Sequence, residues 1–172
     1  MLRFAPLAAL LIATPAVAQD QSAGGSISGT LGQDSVSWTV TAPPENSDLA
    51  PSDWSDAEDG HSVRIVGFPS QSAEAGADAM ILEFTTEGTP SDAGVSEAAV
   101  EYHASGETEP LMASTQNIDL TLSSMEREGD TLAVSGSVVA TMTPGGSDDL
   151  IIDAQGAQTF DGNFQATVPM SD

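Results

Sequence analysis

Residues 118–142, IDLTLSSMEREGDTLAVSGSVVATM, decide how the rest of the chain is read. Ile118, Leu120 and Leu122 interleave with Asp119, Thr121 and Ser123. After the polar run Glu126, Arg127, Glu128, Gly129 and Asp130, the same alternation resumes through Leu132, Val134, Val138, Ala140 and Met142. Side chains two positions apart share one face of a strand, so each half presents an apolar face and a polar one. Two such halves predict a β-hairpin with its turn over residues 126–130. Gly136, inside the second half, predicts a bulge or kink that lets a long strand bend.

Further out, the pattern recurs. Val36, Trp38 and Val40 alternate with Ser35, Ser37, Thr39 and Thr41, and Ile27 and Leu31 precede them across a hairpin loop at Gly32, Gln33 and Asp34. Residues 63–68 form a more continuous apolar run. Met80, Leu82 and Phe84 carry Ile81 between them, so both faces are apolar, as an interior strand requires. Residues 149–153 read as another short strand, and Phe164, Ala166 and Val168, introduced by Asp161 and Gly162, as the last. Residues 91–103 fit two periods. Val95, Ala98, Ala99 and Tyr102 have helical spacing behind a Ser91 N-cap, whereas Ala98, Val100 and Tyr102 alternate; the strand is preferred because sheet neighbours surround it.

Polar, turn-rich linkers cover residues 42–60, 69–78, 87–94 and 144–147. The expectation is an all-β fold: an antiparallel β-sandwich or jelly roll of about eight or nine strands in one domain. Three heptapeptides, GSISGTL from Gly25, GSVVATM from Gly136 and GNFQATV from Gly162, share a glycine, a second small residue and a threonine at equivalent places. Their unequal spacing excludes a solenoid. The small residues predict close approach by a neighbouring strand.

The N-terminus has the parts of a secretory signal peptide: Arg3, an apolar run over residues 4–13, and Ala16, Val17 and Ala18 before the cleavage point. The run is too short for a bilayer crossing, which needs about 20 apolar residues. Residues 1–18 are therefore expected to be removed, leaving residues 19–172 as one domain in the periplasm or outside the cell. That length suits a single core. The chain has no cysteine, so burial and strand pairing must hold it without disulfides, and thiol redox chemistry and thiolate zinc sites are excluded.

Three arginines and no lysine stand against 26 acids, for a net charge of −23 at pH 7. Loss of Arg3 makes it one unit more negative. Such a surface repels nucleic-acid phosphates and anionic lipid, and neither nucleic acid nor membrane insertion after cleavage is expected. The acid excess reads first as adaptation to salty surroundings, where screening relieves self-repulsion.

Asp53, Asp56, Glu58 and Asp59 gather in the first linker beside Trp54. Clustered carboxylates can supply part of the six to eight oxygens calcium takes, so calcium is the one cofactor the pattern offers. The fit to a calcium loop is poor: aligning Gly60 with the glycine of an EF-hand puts Ser55, Ala57 and Val66 where acidic ligands belong. Solvated loop acids are the simpler reading. Trp54, outside any alternating run, is expected at the surface as a stacking platform, or else over an open end of the sandwich. His61 and His103 form no metal-binding pair, and no nucleophile elbow, phosphate loop or dinucleotide fingerprint appears. The preferred function is non-catalytic: binding of a cation, a glycan or a protein, mainly through residues 42–60. A hydrolase using loop carboxylates or a His61/His103 pair is the alternative, and it requires both histidines and an acid in one pocket.

Overall fold

A computed structural model describes residues 23–45, 47–69, 78–88, 93–146 and 156–171. The signal-peptide region, Ser91 and the expected strand at 149–153 lie outside these residues. The described residues form ten strands: β1 (Gly24–Leu31), β2 (Asp34–Val40), β3 (Asp53–Ala57), β4 (Gly60–Pro69), β5 (Ala79–Glu87), β6 (Gly94–His103), β7 (Leu111–Ser114), β8 (Ile118–Glu128), β9 (Thr131–Pro144) and β10 (Gln158–Pro169). A 3-10 turn, Thr115–Asn117, links β7 to β8. The fold is all-β and antiparallel in one domain, as the alternation predicts, with β6 a strand.

Pairing runs β10-β1-β2-β4-β5-β6-β7-β9-β8, and β10 also pairs with β9, so the sheet returns on itself around one core. Most sequence neighbours pair in turn, but β2 and β3 both join β4, and β7 and β8 both join β9; the arrangement is sandwich-like, in keeping with the expected fold class. Two of the barrel's staves are split. β4 pairs with β2 near its end, Trp38 opposite Pro69, and with β3 near its start, Asp53 opposite Arg64. Likewise β9 pairs with β8 along most of one edge and with β7 only at Leu111 and Met112.

A seam follows from the second split. β6 is laddered to β7 only from Ala99 to Tyr102. Just beyond, the Thr115 hydroxyl accepts from the Ala98 N–H at 3.0 Å and donates to the Ala98 carbonyl at 3.2 Å, standing in for a partner strand.

Inward positions form one cluster that includes Ile27, Trp38, Val40, Val63, Ile65, Met80, Leu82, Phe84, Val100, Leu132, Val138, Phe160, Phe164 and Val168. Val66, Phe68, Ala79 and Ile81 face outward and form a second, smaller cluster against which Leu49 packs. This explains why β4 and β5 read as apolar on both faces. The linker before β4 is therefore packed rather than free: the buried Ser52 hydroxyl accepts from the Val66 N–H at 2.8 Å.

Several expected boundaries shift. The turn between β8 and β9 is only Gly129 and Asp130, since Glu128 pairs with Thr131 and Gly129 adopts φ 61°. The bulge lies on β8, at the register shift between Leu122 and Ser124, opposite Gly136 rather than at it. Gly136 is needed for room: a Cβ there would sit 2.4 Å from the Thr121 carbonyl oxygen and 2.8 Å from the Phe164 ring. Asp161 and Gly162 lie within β10, not before it. Gly162 faces Gly29 across the β1–β10 ladder, and a Cβ on Gly29 would meet the Asp161 carbonyl oxygen at 2.2 Å. The close approach predicted from the heptapeptides is what these contacts are.

Candidate functional site

The two ends of the barrel differ. One end is plugged by Trp54, which is fully buried and donates its indole N–H to the Asp130 carbonyl at 3.2 Å. The His61 ring meets the indole edge-on at 5.1 Å, and the Arg127 guanidinium lies 4.6 Å from the indole centroid. Arg127 gets there because it pairs with the inward-facing Leu132 at the closed end of β8. Trp54 is thus no exposed platform. Of the two roles its sequence position allows, it takes the end cover, because a side chain alternating inward from β3 has only the core to enter.

The acids around it do not assemble. Asp53 and Asp56 lie on β3, while Glu58 and Asp59 form the turn to β4, so the first linker is interrupted by a hairpin. Asp56 is 3.3 Å from His61 Nδ1 and 3.4 Å from Arg127. Asp53 faces Arg64 across the β3–β4 ladder on the outer wall, where Arg64 also pairs with Glu83. Burial lifts the Asp53 carboxyl above its ordinary value, and the Arg64 charge opposes that rise. Among the described residues no three His, Cys, Asp or Glu side chains come together to hold a metal ion.

His61 and His103 do not share a pocket. His61 is buried at the plugged end of β4; His103 ends β6 on the outer face, its Nε2 3.2 Å from Glu101. The ladders place them seven residues apart along the sheet, roughly 20 Å at a strand's rise. The strongest catalytic arrangement is therefore not built.

At the opposite end the barrel opens into a cavity of about 770 Å³. Its apolar wall is Leu31, Val36, Tyr102, Leu111 and Pro144, and its rim carries Asp34, Glu107 and Glu109. Trp38 lies beside that wall, edge-on to Tyr102 at 5.9 Å and to Phe160 at 5.7 Å.

No family model, curated protein or solved structure matches this chain.

The mouth is held in shape by bonds between loops. Asp78, at φ 52°, supplies its carbonyl to the Trp38 indole N–H and its carboxylate to both the Ser105 N–H at 2.9 Å and the Tyr102 hydroxyl at 3.4 Å. The Gly145 N–H reaches the Pro110 carbonyl at 3.0 Å, and the Gly32 N–H the Thr159 carbonyl at 2.8 Å. These bonds fix the segments that carry Glu107, Glu109 and Asp34. Burial, then the Asp78 charge and the hydrogen bond to it, push the Tyr102 phenol above its ordinary value.

The linker at residues 42–60, where contact is expected from the sequence, does not contribute to the mouth. The lining of the mouth comes from β1, β2, β6, β7, β9, β10 and the loop after β6, so no local motif announces it. The available signal was the chain's single tyrosine, followed closely by Glu107 and Glu109.

Proposed function

We propose that the protein is an exported, non-catalytic binding module that holds a small molecule in the open mouth of its barrel. The observation that carries this reading is the asymmetry of the two ends: one is filled by Trp54, the other left as a walled cavity. Small-molecule pockets run to about 300–1,000 Å³, are mostly apolar with a few placed polar groups, and occur in the mouths of β-barrels. The mouth fits each part of that description. Its loops are tied before any ligand arrives, which lowers the entropy lost on binding.

Export is supported by the charged start, apolar run and Ala-Val-Ala of the N-terminus, and a periplasmic or extracellular location follows from it. A binding role away from membranes and nucleic acid is supported by the outer wall. On β1, β2 and β10, Ser26, Ser28, Ser35, Ser37, Asn163 and Gln165 face outward, the reverse of a membrane barrel, which is apolar outside, while the outward Val66, Phe68, Ala79 and Ile81 of β4 and β5 are buried.

The test uses N-phenyl-1-naphthylamine, a neutral dye that brightens in apolar cavities. The mature protein should bind one dye with quenching of Trp38 emission, read in a Trp54→Phe background. Ala104→Phe, which adds a ring to the cavity lining, should abolish it. Absence of binding, or binding indifferent to Ala104→Phe, refutes the mouth as a ligand site.

A further inference from the structure

We propose that the ligand of the mouth is an amphiphilic cation: an apolar body bearing an amine or quaternary ammonium head. This rests on the mouth being a binding site, and it goes further by fixing the ligand's charge.

The charges around the cavity are all of one sign. Asp34 and Glu109 are exposed on the rim, as is Glu107, and among the described residues no arginine, lysine or histidine lines the cavity. The two arginines of the described residues are engaged elsewhere, Arg64 with Glu83 on the outer wall and Arg127 with Asp56 and Trp54 at the plugged end. His103, the ionisable nitrogen nearest in sequence to Tyr102, is paired with Glu101 on the outer face. No described residue within the mouth neutralises its carboxylates, so an anionic ligand meets repulsion there and a neutral one gains only the apolar wall.

A cationic head gains more. It is attracted by three carboxylates whose field is focused by the low-dielectric wall between them. Tyr102 adds an aromatic surface, which attracts ammonium groups by its ring quadrupole. The apolar body of the same molecule would lie against Leu31, Val36 and Leu111. Acids on the rim with hydrocarbon below match a ligand whose charge is at one end, and this distinguishes an amphiphile from a bare metal ion or a compact polyamine. Rim carboxylates in water are worth little singly. Together with Tyr102 they are expected to favour the cation over a neutral molecule of the same tail by roughly tenfold.

The experiment displaces N-phenyl-1-naphthylamine from the mature protein with three octyl compounds below their micelle concentrations: octyltrimethylammonium, octyl glucoside and octyl sulfate. The expected order of affinity is cation, then glucoside, then sulfate. A rim variant, Asp34→Asn with Glu107→Gln and Glu109→Gln, should bring the cation down to the glucoside, each displacement being referred to that variant's own dye affinity. Because the whole surface is acidic, a control removes three charges at the plugged end, through Glu87→Gln, Glu126→Gln and Glu128→Gln. It should keep the preference. Equal displacement by all three heads, or equal loss of preference in the rim and control variants, overturns the cation assignment while the dye still reports a site. Failure of the dye and all three compounds to bind overturns the binding reading itself.

Discussion

Replacing Gly29 by alanine adds one carbon where β1 and β10 lie too close to accept it. Gly29 has no left-handed φ, so the residue's backbone tolerates alanine and the cost is steric alone. The new Cβ would fall 2.2 Å from the Asp161 carbonyl oxygen and 2.5 Å from the Gly162 Cα, both backbone atoms that no rotamer change can move aside. Ordinary contact begins more than an ångström further out, so the ladder from Ser28–Asn163 to Thr30–Asp161 must open or shear. Overpacking of this kind costs about 1–3 kcal/mol, and the rigid obstacle argues for the upper part of that range. For a domain of this size each kcal/mol moves Tm by about 2–4 °C, so a fall of roughly 4–12 °C is expected by circular dichroism melting. Gly94 is the internal control: it opens β6, and a Cβ there meets nothing within 4 Å. Gly94→Ala should leave Tm unchanged or raise it slightly by restricting the unfolded chain. If Gly29→Ala melts within a degree of Gly94→Ala, the glycine pair is not a close-contact point and the reading of the shared heptapeptides fails.

Three further outcomes are expected. Tyr102 is the single tyrosine, so ultraviolet phenolate absorbance titrates one group; its folded pKa is raised, so its contribution to stability is fully present below about pH 10 and is lost as pH rises through the folded value. Asp78→Asn removes the charge but not the burial and should lower the midpoint part-way, while an unchanged or higher midpoint would deny the contact. Thr115→Val leaves Ala98 without its substitute partner and should cost about 1–3 kcal/mol, with faster amide exchange at Ala98 by hydrogen–deuterium mass spectrometry; unaltered exchange there would mean the seam is held some other way. Sodium chloride should raise Tm of residues 19–172 by screening like charges, and a flat or falling curve would count against self-repulsion as a destabilising force.

What the sequence made legible was whatever repeats along a strand. Trp38, Val40, Leu82 and Val138 each have same-face neighbours two residues away, and all are buried as read. Trp54 was obscured because β3 is five residues long and contributes a single large inward side chain among acids. The hairpin turn was overestimated because Glu126 and Glu128 look like turn residues, yet they are the outward positions of a strand whose inward position, Arg127, is used to cover Trp54. Of the candidate residues, Asp53, Asp56, Glu58 and Asp59 were adjacent in sequence but diverge once alternation sends neighbours to different places. The mouth shows the converse: Leu31, Tyr102, Leu111 and Pro144 are remote in sequence and are joined by strand order, which composition and periodicity do not encode.

The scarcity of basic side chains also determines how a digestive enzyme meets this molecule. Trypsin finds two targets in residues 19–172, the bonds after Arg64 and Arg127. Arg64 is held in β4 between β3 and β5, and Arg127 in β8 against β9. The Arg64 bond cannot enter a protease cleft while both its ladders stand, and the Arg127 bond, on a strand paired along one edge, needs at least the end of the β8–β9 hairpin to open. Cleavage therefore counts the moments when these ladders open, and the folded chain should outlast far more compact proteins whose loops carry lysine.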